Sequence, residues 1–218
     1  MPLSPLLIKL LGIIQPAVLM SIAVFVGVRL ASRVGLFSPA ADAAADGGNV
    51  AAAFKPQIVP GLIGGLAGGI AILSTWLLLK PFLPVEFVTR AERLNKLLPF
   101  LTRLLYGGII EELLLRWGVM TLLVWLAWRL LQKGQGKPRV IFFVNAIIIS
   151  SVVFGLGHLP LVSALGMDFT AIISSVVVAN SIFGLIAGYL YWKKGLEAAI
   201  IAHMLAHVVL VTAIYFPT

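Results

Sequence analysis

Two adjacent carboxylates, Glu111 and Glu112, and an arginine, Arg116, sit inside a run from Ile109 to Leu126 that is otherwise mostly Leu, Ile, Val and Trp. A charge in hydrocarbon is expensive, so ionisable residues within apolar spans are candidates for chemistry by default. On a helix, Glu112 and Arg116 are four apart and share a face. That spacing lets them pair and removes two charges at once, and buried charges persist only when paired. At 3.6 residues per turn, Glu111 projects about 100° further round and stays out of that pair. A carboxyl group taken out of water holds its proton more tightly, which is the property a general base near neutral pH needs.

The chain has 3 histidines, His158, His203 and His207, and each falls in or at the end of an apolar run. His158 closes the segment Phe154-Gly155-Leu156-Gly157-His158, while His203 and His207 sit one turn apart in His-Met-Leu-Ala-His. Two chemistries fit this set. In one, Glu111 as base and His158 polarise a water while His203 and His207 stabilise a tetrahedral oxyanion. In the other, some of Glu111, His158, His203 and His207 bind zinc, with one position left open for water. The i, i+4 pair His203/His207 suits a metal, although the chain lacks the His-Glu-x-x-His helix of familiar zinc proteases.

Other chemistries are excluded by what is missing. With 0 cysteines there is no thiol nucleophile, disulfide or thiolate metal site. No Gly-x-Ser-x-Gly elbow and no Gly-rich phosphate loop occurs. Asp42, Asp46 and Asp168 fall in expected loops, so no intramembrane aspartate pair forms. Asn145 and Asn180 are intramembrane amides of the kind that hydrogen-bond between helices.

The elements that must hold these groups follow from composition. Hydrophobic residues make up 61% of the 218 residues and charged ones 11%, with a mean hydropathy of +1.08. An ordinary soluble domain is roughly 45–50% apolar and about 25% charged. The apolar runs are too continuous for a β-barrel, whose strands alternate. The expected fold is all-α, a polytopic transmembrane bundle of about six to eight membrane helices. The net charge of +8 does not indicate nucleic acid, because Lys and Arg gather at the ends of the apolar runs.

Six runs are readable: about Leu6 to Leu30, Gly61 to Leu79, Pro99 to Leu131, Val140 to Leu156, Phe169 to Trp192 and Leu196 to Phe216. Ala40 to Ala53 reads as a loop outside the membrane, and Phe82 to Lys96 as a mixed-charge connector at the interface. The second run carries Gly64, Gly65, Gly68 and Gly69, a spacing that admits a close helix neighbour. The third is long for one upright span, so it is a tilted helix or two pieces breaking near Gly107-Gly108 or Gly118. The positive-inside rule places the Arg129 to Arg139 loop and Lys193-Lys194 in the cytoplasm and the Pro160 loop outside. Arg29 and Arg33 after run one and Lys80 and Arg90 after run two both ask to be inside, which one chain cannot satisfy. The same rule sets His158 near the outer side and His203 about two turns in from the inner side, depths that meet only through tilt or a re-entrant segment.

Glu-Glu-x-x-x-Arg, then Phe-x-x-x-His ending the next helix, then a Gly-rich helix leading into His-x-x-x-polar, resembles the CPBP family of CAAX proteases and bacteriocin-processing enzymes, also called the abortive-infection family. The resemblance spans about Leu97 to Val211 and is strongest from Gly184 to His203. It implies a glutamate-type intramembrane endopeptidase without a cofactor. Glu111 would activate water with His158, Glu112 and Arg116 would hold the helix, and His203 with His207 would form the oxyanion hole. The family often has Asn or Asp where this chain has His207, which keeps zinc open as the alternative.

On this reading residues 1–96 form N-terminal membrane helices and a connector, and residues 97–218 the catalytic membrane domain. The expected partners are the lipid bilayer and a membrane-anchored protein or peptide substrate, and the expected location is the bacterial cytoplasmic membrane. The rivals are a proton-relaying transporter, which should show internal repeats that are not evident here, and a non-enzymatic immunity protein, which has no use for Glu111, His158 and His203.

Overall fold

The structure, a computed structural model, describes residues 5–164 and 170–215. Asp168 and Phe216, read above as a loop residue and as the end of the sixth run, lie outside the described residues. The helices are α1 (Pro5–Leu30), α2 (Pro39–Ala45), α3 (Val50–Leu79), α4 (Val85–Leu97), α5 (Phe100–Thr102), α6 (Thr121–Leu131), α7 (Val140–Leu156), α8 (Leu159–Ala164), α9 (Thr170–Lys193) and α10 (Leu196–Tyr215). Two π-helical segments, Arg103–Glu111 and Leu113–Met120, join α5 to α6. Four stretches are long and apolar enough to cross a membrane: Ile13–Leu30, Val50–Phe82, Ile172–Lys193 and Leu196–Ala213. The shorter apolar α7 and the composite 100–131 helix complete an all-α polytopic bundle.

One expectation about boundaries is corrected, and of the two alternatives for the 100–131 run the continuous helix is the one that forms. Ala40 to Ala53 is not a loop but contains α2 and the first turn of α3. Pro39 opens α2, where its missing N–H is not needed. Asn49 caps α3, its side chain accepting from Ala52 N at 3.0 Å. The 100–131 segment does not break at either glycine site. Glu112 (φ −70, ψ −38) and Thr121 (φ −59, ψ −46), at the junctions, keep right-handed helical torsions.

The glycines of α3 wedge it between α9 and α10. A Cβ on Gly65 would sit 2.7 Å from Ala202 O of α10, and one on Gly68 2.6 Å from the Phe183 ring of α9. Without a water-driven force between spans, such close backbone approach is what holds helices together in lipid. Thus α3, from the 1–96 segment, packs directly on α10, the helix that carries His203 and His207.

The bundle has two distinct ends. At one, Leu196 N donates to Phe37 O at 3.1 Å, Ser38 Oγ donates to Glu197 Oε1 at 2.6 Å, and Phe143 stacks on Trp192. This end gathers the C-terminal ends of α1, α6 and α9 and the N-terminal ends of α3, α7 and α10. At the other, Leu83, Phe87 and Val88 pack with Val162 and Ile172 beside Trp76, and Lys80 pairs with Glu92 at 2.7 Å. Arg29 and Arg33 therefore lie at the end opposite Lys80 and Arg90, so only one of those two groups can face the cytoplasm. The amides also differ from expectation. Asn180 donates to Val176 O of its own helix at 2.8 Å and Asn145 is exposed; among the described residues neither bridges two helices.

Candidate active site

The site is assembled where the 100–131 helix meets α7 and α10. Its π-helical winding, with i→i+5 bonds, has wider turns than an α-helix and recurs at functional sites. Successive residues there are separated by less than 100°, so Glu111 and Glu112 both reach the same histidine of α10. Glu111 still stays out of the Glu112–Arg116 pair, as its position on the helix led one to expect.

Glu112 is completely buried, with a side chain 0% exposed, and it has a partner on each side. Its Oε2 lies 3.2 Å from Arg116 Nε, and its Oε1 accepts from His203 Nδ1 at 2.8 Å. The Arg116 contact lacks hydrogen-bond alignment, so charge neutralisation holds that pair. Arg116, equally buried, donates Nη1 to Ser150 Oγ of α7 at 3.3 Å and lies over the Phe154 ring, 5.6 Å from its centroid. One chain of contacts therefore ties the 100–131 helix to α7 through Arg116 and to α10 through Glu112.

Glu111 is different. Its side chain is 21% exposed, and Oε2 lies 3.8 Å from His203 Nε2, too far for a direct hydrogen bond. His203 thus turns one ring nitrogen to each carboxylate. His158 donates Nδ1–H to Phe154 O at 2.9 Å and is in electrostatic reach of Glu111. The Phe154 ring stands edge-on to both His158 (4.9 Å, 86°) and His203 (5.5 Å, 88°). It spans the depth difference between the two histidines that the sequence left without an explanation.

His207 stacks on His203, with centroids 5.0 Å apart and planes at 14°. Its Nε2 lies against Gly107, where any Cβ would collide with it, and both ring nitrogens are buried without a hydrogen-bond partner. Gly107 and Gly108, read in the sequence as a possible break, instead seat His207 and Met204 of α10.

Of the residues of the zinc reading, Glu111, His158, His203 and His207, only Glu111 and His203 are brought to within 4 Å of each other by an ion-pair contact. Among the described residues no three His, Asp or Glu side chains converge as a metal site, and His203 Nδ1 is engaged by Glu112. Ser150 was missed as a site residue, and Phe154 entered only as the Phe of Phe-x-x-x-His, with no role of its own. Nothing distinguishes Ser150 from its neighbour Ser151, which bonds back to Ile147 O at 2.6 Å.

A cavity of about 760 Å³ lies between α3, α4, α9 and α10, walled by Ile72, Trp76, Val176 and Leu210 and rimmed by Lys80 and Lys96. None of the site histidines or glutamates lines it. It begins about one turn beyond them, since Leu210 follows His207 by three positions and Asn180 precedes Phe183, which packs on His203, by three.

A helical membrane bundle holding two carboxylates against one histidine, with two further histidines close by, defines the class: polytopic membrane proteins with a carboxylate–histidine cluster between their helices. The family model described as type II CAAX prenyl endopeptidase Rce1-like matches residues 93–209, more than half of the chain, and the chain belongs to that family. Membership makes it a membrane protease, a peptide hydrolase of the CAAX type acting on membrane-associated substrates. No curated protein and no solved structure matches the chain.

Proposed function

We propose that this chain hydrolyses a peptide bond of a membrane-anchored protein or peptide, with Glu111 as the base that activates water. The observation that carries the proposal is the opposite treatment of two adjacent carboxylates. Glu112 is sealed, paired with Arg116 and bonded to His203, whereas Glu111 is unsealed and faces His203 across 3.8 Å. With Nδ1–H given to Glu112, a neutral His203 presents a bare Nε2 towards Glu111. A water within reach of both acceptors donates to each and keeps its lone pairs free for attack.

His158 is held by Phe154 O through Nδ1, so its Nε2 is a third acceptor beside the other two, and the water bonds two of the three at a time. The water's proton passes to Glu111 as the oxygen attacks the carbonyl carbon and on from Glu111 to His203 Nε2, which makes the ring a donor on both nitrogens until that proton goes to the amine nitrogen as the C–N bond breaks. In that state the ring can stabilise the oxyanion of the tetrahedral intermediate, as a preorganised donor in a site with little water. His207, stacked behind it, supports that ring. We assign the chemistry to these side chains without a metal.

The test compares membranes containing the wild type with membranes containing Glu111→Gln, reading new protein termini by mass spectrometry. Termini present only with the wild type, and unaffected by a zinc chelator, are expected. If no terminus depends on Glu111, the proposal is overturned. If cleavage dies on chelation and returns with zinc, the metal-free mechanism is.

A further inference from the structure

Three neighbouring helices hold the 100–131 helix by polar bonds. Arg116 donates to Ser150 of α7, and Glu112 accepts from His203 of α10. From α9 the bond comes through Tyr191, whose hydroxyl lies 2.7 Å from Thr121 Oγ1. Both residues are 0% exposed, although 70 positions separate them in the sequence.

The direction of this bond follows from valence. Thr121 Oγ1 lies 3.3 Å from Arg116 O, a carbonyl that can only accept. The threonine gives its one hydroxyl proton to that carbonyl, so Tyr191 O–H donates to Thr121 Oγ1. The Thr121 backbone N–H is shared between Arg116 O, five residues back, and Gly118 O, three back, and passes over the i→i−4 carbonyl that an α-helix would use. Thr121 thus gives Arg116 O two donors at the point where the π-helical winding yields to α6.

That point bears on the site. Arg116 lies within the winding that ends there, Glu112 directly precedes it, and Glu111 closes the π-helical segment before. If Thr121 fell back to i→i−4 bonding, Arg116 and the residues before it would turn about the helix axis. Glu112 would then move relative to His203, and His203 relative to Glu111. We infer that Thr121 and Tyr191 are positioning residues for the Glu111–His203 pair: their hydrogen-bond chain to Arg116 O fixes the end of the π-helical winding, and through it the reach of both glutamates to His203. The inference rests on the proposed function only for its effect on cleavage, since the geometry does not depend on turnover.

The chain's 3 histidines make a direct readout possible. In protein labelled at histidine and purified in detergent, NMR reads the Nδ1–H of His203, identified by its loss in His203→Gln, and so reports on the bond to Glu112. Thr121→Val keeps the side chain's shape and removes its hydroxyl. It is expected to shift that signal and to slow Glu111-dependent cleavage per folded molecule by roughly 10–10²-fold, the cost of a small misplacement of reacting groups. Thr121→Ser keeps the hydroxyl and is expected to restore both. Tyr191→Phe keeps the ring, is expected to shift the same signal, and serves alone should Thr121→Val fail to accumulate. A signal unmoved in either substitution, or moved as far in Thr121→Ser, overturns the inference even if the melting temperature falls. A shifted signal with Glu111-dependent cleavage undiminished overturns it too. A shifted signal where the wild type itself shows no Glu111-dependent cleavage would sink only the protease reading.

Discussion

Helix α10 makes two interfaces of opposite kinds. Towards α3 it presents Ile201, Ala202, Leu205 and Val209 to a row of glycines, and contact is purely steric. Towards the 100–131 helix it presents His203 and His207, and contact runs through a buried ion pair, a 2.8 Å hydrogen bond and stacked rings. The first interface could be rebuilt from any well-matched small residues, because it asks only for close approach. The second tolerates almost no change, since each buried charge in it depends on a partner. The steric face holds α10 rigidly, and that rigidity lets the polar face keep Glu111 close to His203 without a direct bond.

The strongest way to break this contrast is at Glu111. Glu111→Gln should lower cleavage by roughly 10²–10⁴-fold, the usual contribution of a positioned general base. It should leave the melting temperature in detergent nearly unchanged, because Glu111 is part-exposed and not hydrogen-bonded to His203. A large loss of stability would show that Glu111 belongs to the structural pair after all.

Arg116→Ala should do the reverse at its neighbour. It strands the buried Glu112 carboxylate and should reduce unfolding stability by roughly 3–5 kcal/mol, with activity falling too as His203 loses its anchor. Loss of activity with an unchanged melting curve would remove the clamp role given to this pair.

On the steric face, Gly65→Ala puts a methyl 2.7 Å from Ala202 O and should destabilise by roughly 1–3 kcal/mol, as overpacking does. Activity per folded molecule should fall less than in Arg116→Ala. An equal fall would mean that the two faces of α10 are not separable. The smallest effect is expected for Lys80→Ala. Its ion pair with Glu92 is about half-exposed, and such pairs contribute under about 1 kcal/mol; thermal unfolding of the two proteins checks it.

Much of the fold was legible because apolar run length reports directly on a spanning helix. Val140 to Leu156 was read with the bounds of α7, and Leu196 as the start of α10. The errors came where composition misleads. Alanine and aspartate between 40 and 53 look like a loop by polarity, yet Pro39 and Asn49 start helices there. Glycines at 107, 108 and 118 left a break and a continuous helix both open, and the helix is continuous because in lipid they mark where another helix comes close. The candidate residues were legible for a different reason: Glu111, Glu112, Arg116 and the histidines stand out because an apolar run has no other use for charge.

The sequence by itself determined that this chain is a helical membrane bundle and which few polar side chains had to meet inside it. Solvation decides both, residue by residue, since hydrocarbon tolerates neither open backbone nor unpaired charge. Only the tertiary structure decided what each group faces. The spacing of Glu112 and Arg116 allowed a pair, but the π-helical turns, the glycine seat at Gly107 and the Phe154 ring determined that His203 stands between two carboxylates, bonded to one and 3.8 Å from the other. Such distances depend on how three helices wind and pack together, which the periodicity of any one of them does not contain.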